Sequence, residues 1–286
     1  MTPLVQTAAE FRNACAEARM DGPLALVPTM GYLHEGHVSL IRAAALTGKQ
    51  VAVTIFVNPT QFGPNEDLSS YPRDLRGDLE KCGQAGASFA FVPRAPAELF
   101  PPGFQTWVEP GPLAAPLCGA RRPGHFRGVC TVVAKLFALS RADRAFFGEK
   151  DFQQLLVIRQ MARDLDLATE VIGRPIVREP DGVALSSRNA YLTAEERPRA
   201  VALWAALGAV RALFQAGTRE PAALEQAAAQ AIERAGLRVD YAEVRDPRDL
   251  ERPQGASLET RLFLAAFLGK TRLIDNGAVG DPHRLG

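Results

Sequence analysis

Two histidines three residues apart, His34 and His37, close the segment Pro28-Thr-Met-Gly-Tyr-Leu-His-Glu-Gly-His37, which leads from an apolar run into a helical pattern. A strand-to-helix turn offers an anion its backbone N–H groups and the positive end of a helix dipole. Gly31 and Gly36 let that backbone approach a nucleotide closely. Residues three apart on a helix share a face, so both imidazoles can meet a polyphosphate chain. Most His-x-x-His pairs are surface histidines at a helix start. The Pro-Thr-Met-Gly lead-in and the strand ahead of it set this pair apart.

Three more blocks carry unusual polar residues. In Phe146-Phe-Gly-Glu-Lys-Asp-Phe-Gln-Gln154, Asp151 and Gln154 form an ordinary helix-capping pair. Lys150 is less ordinary, because a cation just ahead of a helix opposes the dipole unless an anion joins it. Leu185-Ser-Ser-Arg-Asn189 offers two hydroxyls and a guanidinium on a flexible polar loop, though most such loops are merely solvated. Asn58-Pro-Thr-Gln-Phe62 follows a buried strand and sets two amides where they can read hydroxyls and a carboxylate. Turn chemistry accounts for Asn-Pro equally well.

The elements that must position these blocks alternate. Leu24–Pro28 and Val51–Val57 read as buried strands, and between them Val38, Ile41 and Ala45 recur at helical spacing, with Leu40 and Ala44 alongside. Helical patterns near 74–84, 128–140 and 151–165 alternate with strand-like runs at 88–92, 144–147 and 169–173. Such alternation predicts a parallel sheet covered on both faces, with ligands beyond the C-terminal strand ends. A polar stretch over 174–192 precedes a change of texture. Thr193-Ala-Glu-Glu196 is a capping-box signature for a helix over 194–216, with Pro198 awkward in its first turns. A second Ala-rich helix over 221–235 follows, with Gly217 and Gly236 as C-terminal caps. Runs at 237–244, 261–268 and 272–275 suggest a small antiparallel sheet.

Composition removes several classes. With 33 basic and 32 acidic residues the net charge is +1, so no basic stripe binds a nucleic-acid backbone. Four cysteines, at 15, 82, 118 and 130, form no CxxC pair, and a structural zinc site at Cys118, His125 and Cys130 lacks the closely spaced ligand pairs it needs. Reduced thiols in the cytoplasm are the expectation. The N-terminus lacks a basic segment followed by an apolar run, and no stretch approaches the ~18 apolar residues that span a bilayer. His283, in the loose tail 281–286, is given no role.

Together the blocks PTMGYLHEGH, FVNPTQF, RPGHFRGV, FGEKDFQQ and LSSRN resemble the pantothenate synthetase, or pantoate–β-alanine ligase, family. The resemblance runs from about Leu24 to Leu192 and more loosely to about Gly277. His34-Glu-Gly-His37 resembles the His-Ile-Gly-His signature of the wider adenylyl-transfer superfamily, and Ser186-Ser-Arg188 its reduced Lys-Met-Ser-Lys-Ser loop.

The resemblance implies a Rossmann-like doubly wound α/β domain over 1–175 that binds nucleotide and pantoate, and a smaller α+β C-terminal lid domain over 176–280. It implies ATP as a substrate together with Mg²⁺, and a homodimer formed through the N-terminal domain. The reaction implied is condensation of (R)-pantoate with β-alanine through a pantoyl-adenylate, giving pantothenate, AMP and pyrophosphate.

ATP would lie on Met30, Gly31, Tyr32, Leu33, His34, Glu35, Gly36 and His37, with both histidines on the phosphates. Gly148, Glu149, Lys150 and Asp151 would contact the nucleotide, with Lys150 neutralising phosphate charge and Val177 near the adenine. Leu185, Ser186, Ser187 and Arg188 would close over the triphosphate. His34, His37, Lys150 and Arg188 would carry the catalysis. Gln61 and Gln154 would hold pantoate, Gln61 would also border β-alanine, and Arg122 would be an anion contact in the pantoate site. Asp78 would face Mg²⁺. Two departures stand out: Gly77 occupies a position where some members carry a second Asp, and Cys118 one where some carry a ribose-binding Glu.

A carboxylate attacking the α-phosphate meets an anion, so positioned cations lower the barrier without a covalent enzyme intermediate. The rival readings are a nucleotidyltransferase that stops after adenylyl transfer, an aminoacyl-tRNA synthetase fragment, and a non-catalytic nucleotide-binding module. The first has no evident use for both Gln61 and Gln154. The second wants a basic surface, and the third has no use for two histidines, Lys150 and Arg188.

Overall fold

The computed structural model describes residues 2–64 and 66–280, so the expected tail over 281–286 lies outside the described residues. The chain forms two compact units, Met1–Gly148 with Gln154–Arg174, and Glu149–Gln153 with Pro175–Gly286. Residues 149–153, which the sequence reading kept in the first domain, belong with the second unit.

The first unit is built on β1 (Leu4–Val5), α1 (Ala8–Met20), β2 (Leu24–Thr29), α2 (Glu35–Thr47), β3 (Gln50–Ile55), α3 (Leu75–Ala85), β4 (Phe89–Phe91), α4 (Cys118–Arg121), α5 (His125–Ser140), β5 (Arg144–Gly148), α6 (Phe152–Asp164, from Gln154 on) and β6 (Glu170–Arg174). The six strands make one sheet in the order β1-β4-β3-β2-β5-β6, every pair parallel. β2 and β3 read as continuous apolar runs because helices cover both faces of such a sheet. The chain runs outward from β2 through β3 to β4, then restarts at β5 on the other side of β2. That reversal is where ligands collect in open α/β sheets.

Three of these elements escaped the sequence reading, among them the four-residue α4. β1 is only two residues long, too short for periodicity to register. α1 starts at Thr7, whose side chain accepts from the Glu10 N–H while the Glu10 carboxylate accepts from the Thr7 N–H. α1 buries Phe11 and Cys15, and Phe11 stacks on Phe91 at 4.4 Å.

The second unit contains α7 (Ala202–Gln215), α8 (Pro221–Arg234) and the meander β7 (Arg238–Arg245), β8 (Arg261–Leu268), β9 (Thr271–Ala278), all antiparallel. Thr193 and Glu196 do form the reciprocal cap, with each side chain accepting the other's N–H at 3.0–3.1 Å. The expected α-helix does not begin there. A 3-10 turn over Arg197–Val201 intervenes, because Pro198 has no N–H to donate and its ring crowds the preceding turn. Leu203, Leu207, Val210 and Phe214 of α7, Leu224, Ala228 and Ile232 of α8, and Leu262, Leu264 and Ala266 of β8 form this unit's core. Among the described residues no helix is long and apolar enough to cross a membrane.

Candidate active site

In the first unit β2 ends at Thr29, whose hydroxyl donates to the Thr54 carbonyl at 2.7 Å and accepts from the Gly31 N–H at 3.2 Å. The chain then turns through two left-handed residues, Gly31 at φ +86° and Tyr32 at φ +52°. A Cβ on Gly31 would lie 2.9 Å from Ile55 Cγ2, so this position needs glycine for space as well as for its φ.

Asp78, on α3 and 1% exposed, braces the turn: its Oδ1 accepts from the Leu33 N–H at 2.6 Å and its Oδ2 from the Tyr32 N–H at 2.8 Å. Lys81 Nζ donates to the Leu33 carbonyl at 2.7 Å. Burial pushes the Asp78 carboxyl above the usual carboxylate range, against the lowering pull of those two N–H groups and Lys81.

His34 is the N-cap of α2 rather than a residue on its face, with extended backbone at φ −121°. Its Nδ1 accepts from the Gly36 N–H at 3.1 Å, and His37 Nδ1 faces the His34 N–H at 3.4 Å. Two imidazoles thus replace the usual hydroxyl and carboxylate of a capping box. An Nδ1 that accepts leaves the proton of the neutral ring on Nε2. The ring centroids stand 4.1 Å apart.

The second amide block is organised from within. Asn58, 1% exposed, accepts from the Thr60 N–H and hydroxyl through Oδ1, and donates from Nδ2 to the Gly128 carbonyl and to Gln61 Oε1 at 3.0–3.2 Å. Gln61 Nε2 lies 3.2 Å from Met30 Sδ, which brings the 58–62 block against the PTMG turn. The turn-chemistry reading of Asn-Pro holds: Asn58 makes the turn, and Gln61 is carried on it. Gly128 of α5 packs on the same turn so closely that a Cβ would lie 2.3 Å from the Thr60 oxygen.

Arg122 is engaged by Glu66 through Nε at 2.8 Å and Nη2 at 2.5 Å, and its Nη2 also reaches the Gln61 carbonyl at 3.4 Å. His125 Nδ1 lies 2.9 Å from that carbonyl, so Nδ1 carries the proton and Nε2 accepts from Arg122 at 3.1 Å. A cavity of about 200 Å³ opens here, lined among others by Gln61, Trp107, His125 and Arg127. Arg127 stacks over Trp107 at 4.3 Å. Gln154 sits half-buried on the first turns of α6.

In the second unit Glu149–Asp151 form a 3-10 turn, with Lys150 Nζ 3.5 Å from Asp151 Oδ2. Asn276 of β9 donates from Nδ2 to the Glu149 and Lys150 carbonyls at 3.0 and 2.9 Å. Val177 and Leu185 face each other in a tight ladder, the Leu185 N–H donating to the Val177 carbonyl at 3.0 Å. Arg178 makes a bidentate pair with buried Asp275 at 2.7 and 2.8 Å and stacks on Trp204 at 4.2 Å. Ser186 accepts from the Arg188 N–H at 3.2 Å and caps a 3-10 turn over Ser187–Tyr191. Asn189 donates to the Ala184 carbonyl and Glu179, and Arg197 pairs with Glu179 and Asp181. The Leu185–Asn189 segment, read from sequence as a flexible polar loop, is held at both ends by hydrogen bonds, Leu185 to Val177 and Asn189 to Ala184 and Glu179.

Sequence reasoning missed Glu66, Arg261, Asp275 and Asn276. The last three interrupt otherwise apolar strands, and a buried polar residue is the informative exception in such a run.

Among the described residues no three His, Cys, Asp or Glu stand together as a group that could hold a metal ion. Burial pushes the Cys15, Cys82 and Cys130 thiols up to about 12, and Cys118 is half-buried at the start of α4. Each Asp78 oxygen accepts a backbone N–H and Gly77 has no side chain, so among the described residues no second carboxylate joins Asp78 to make a Mg²⁺ site of protein carboxylates.

A doubly wound parallel sheet whose central strand feeds a helix capped by His-x-x-His places the chain in the class of His-Ile-Gly-His nucleotidyltransferases. Within that class, the chain belongs to the pantoate-β-alanine ligase family, whose model matches residues 3–278. A pantothenate synthetase of Myxococcus xanthus is 53% identical, over 100% of this chain and 99% of that protein. The crystal structure of pantoate-β-alanine ligase (pantothenate synthetase) from Thermus thermophilus superposes with a TM-score of 0.93 at 44% identity, covering 98% of this chain and 100% of that one. The pantoate-β-alanine ligase of Francisella tularensis, complexed with β-γ ATP and β-alanine, gives 0.83 at 32% identity, covering 98% of this chain and 99% of that one.

Proposed function

We propose that this protein joins pantoate to β-alanine with ATP, by way of a pantoyl-adenylate, as an AMP-forming acid–amino-acid ligase. The observation that carries the reading is the pair of imidazoles capping α2, with the Gln61 amide beside Met30 of the same turn. Relatives named pantothenate synthetase, and one structure holding β-γ ATP and β-alanine, support the substrates.

In this reading the turn from Met30 to His37 receives the nucleotide, and the Nε2–H groups of His34 and His37 donate to phosphate oxygens. Gln61 and Gln154 hold pantoate, with Gln61 also bordering β-alanine. Arg122, engaged by Glu66, contributes through the Gln61 carbonyl it touches. Gly148–Asp151, Val177 and Leu185–Arg188 complete the nucleotide contacts, with Lys150 and Arg188 as the cations. A pantoate carboxylate oxygen attacks the α-phosphorus, and the bond to the bridging oxygen of pyrophosphate breaks. Donors aimed at the developing charge lower that barrier. The amine of β-alanine then attacks the acyl carbon and AMP departs. Mg²⁺ would enter with ATP, and among the described residues no group of three His, Cys, Asp or Glu stands ready to hold it.

If the acid is activated first, pantoate and ATP in magnesium buffer should exchange labelled pyrophosphate into ATP without β-alanine. Full turnover should release AMP. Release of ADP, or exchange that needs β-alanine, overturns the adenylate route. The proposal extends to a homodimer formed through the first unit in the cytoplasm, and a monomer in sedimentation at micromolar concentration would overturn the dimer.

A further inference from the structure

Asn276 lies on β9 with 2% of its surface exposed, opposite Phe263 of β8. A polar amide at such a place needs partners for all its donors and acceptors. Its Oδ1 accepts from the Arg261 guanidinium, which has no acceptor of its own, so the orientation of the amide is fixed by chemistry. Both hydrogens of Nδ2 then point the other way, onto the carbonyls of Glu149 and Lys150 at 3.0 and 2.9 Å.

Arg261, itself buried, strengthens the grip. Its Nη2 stands 3.6 Å from Glu149 Oε2, and its guanidinium lies 4.0 Å over the Phe152 ring, just after the turn. Phe152 in turn packs on Phe263 with centroids 5.9 Å apart. Three contacts from two neighbouring strands thus reach one short turn and two more hold Phe152 just after it, and none of them touches the Lys150 ammonium.

A lysine carries its charge on a flexible four-carbon stem, so where the charge can go depends on how firmly the backbone beneath is held. From this geometry we infer that Asn276 is a positioning residue for Lys150, fixing the backbone from which that side chain reaches the nucleotide phosphates. The inference rests on the proposed role of Lys150. Arg261 orients the amide, and Asn276 transmits the constraint to the turn.

The test is a double-mutant cycle read by pantoate-dependent pyrophosphate exchange in the full-length protein. Asn276→Ala should lower kcat by roughly 10- to 100-fold, the scale expected when a catalytic group is misplaced by about an ångström, with the pantoate KM nearly unchanged. In a Lys150→Ala background the same substitution should cost nothing further, because groups that act as one unit are non-additive. Should Asn276→Ala fail to fold, Asn276→Asp keeps the acceptor for Arg261, removes both donors and should show the same non-additivity. Losses that multiply independently of Lys150 would overturn the positioning role while leaving the proposed function intact. Full turnover by well-folded Lys150→Ala would instead overturn the reading of Lys150 and the inference with it.

Discussion

The Asp78 carboxyl is buried against two backbone N–H groups, and the competition between burial and hydrogen bonding there can be measured. Burial dominates and raises its pKa, with the Leu33 and Tyr32 N–H groups and Lys81 pulling the other way. The folded chain therefore holds this proton more tightly than the unfolded chain. The stability linked to Asp78 is complete below the ordinary carboxylate range and is lost as pH rises through the raised folded value. Asp78→Asn removes that dependence. Denaturation of both proteins from acid to neutral pH should show the wild type's advantage shrinking as pH rises, and parallel curves would refute a titrating brace. The carboxamide can serve only one of the two N–H groups. The other is left unpaired at a cost of about 1–3 kcal/mol, and ATP affinity should fall as the turn loosens. From sequence, Asp78 was legible only through the family resemblance, as an acidic partner for Mg²⁺. The two N–H groups it accepts from lie 45 and 46 residues away, and spacing carries no sign of them.

Among the elements, α5 meets the Pro59–Gln61 turn backbone to backbone. Gly128 has its would-be Cβ 2.3 Å from the Thr60 oxygen and 2.7 Å from the Gln61 nitrogen, both backbone atoms that cannot swing aside. Gly128→Ala must push the turn outward, at a cost of roughly 1–3 kcal/mol for overpacking. Because Gln61 rides on that turn, the pantoate KM should rise while the ATP KM stays near its wild-type value. Steady-state kinetics beside a thermal melt separate the two effects: a lower melting temperature with unchanged pantoate KM would refute the positioning of pantoate by this turn. The elements themselves were largely legible, because β3 and β5 are apolar runs and α3 and α6 keep helical periodicity. β1 was too short to announce itself, and α7 starts late because a proline overrides a well-formed cap.

At the scale of the whole molecule, the chain passes between its two units three times, after Gly148, after Gln153 and after Arg174. No single cut separates them cleanly. A fragment starting at residue 175 would keep Arg261 and Asn276 but lose the Glu149 carboxylate and the two carbonyls they hold. It would be left with a buried guanidinium short of its counterion and an amide short of two acceptors, defects of the kind that cost several kcal/mol. A fragment ending at 174 would carry residues 149–153 with nothing to dock on. The second unit thus draws five residues from a stretch flanked on both sides by the first, so truncation, nicking or recombination near residue 150 removes part of a unit whose remaining sequence begins only at residue 175.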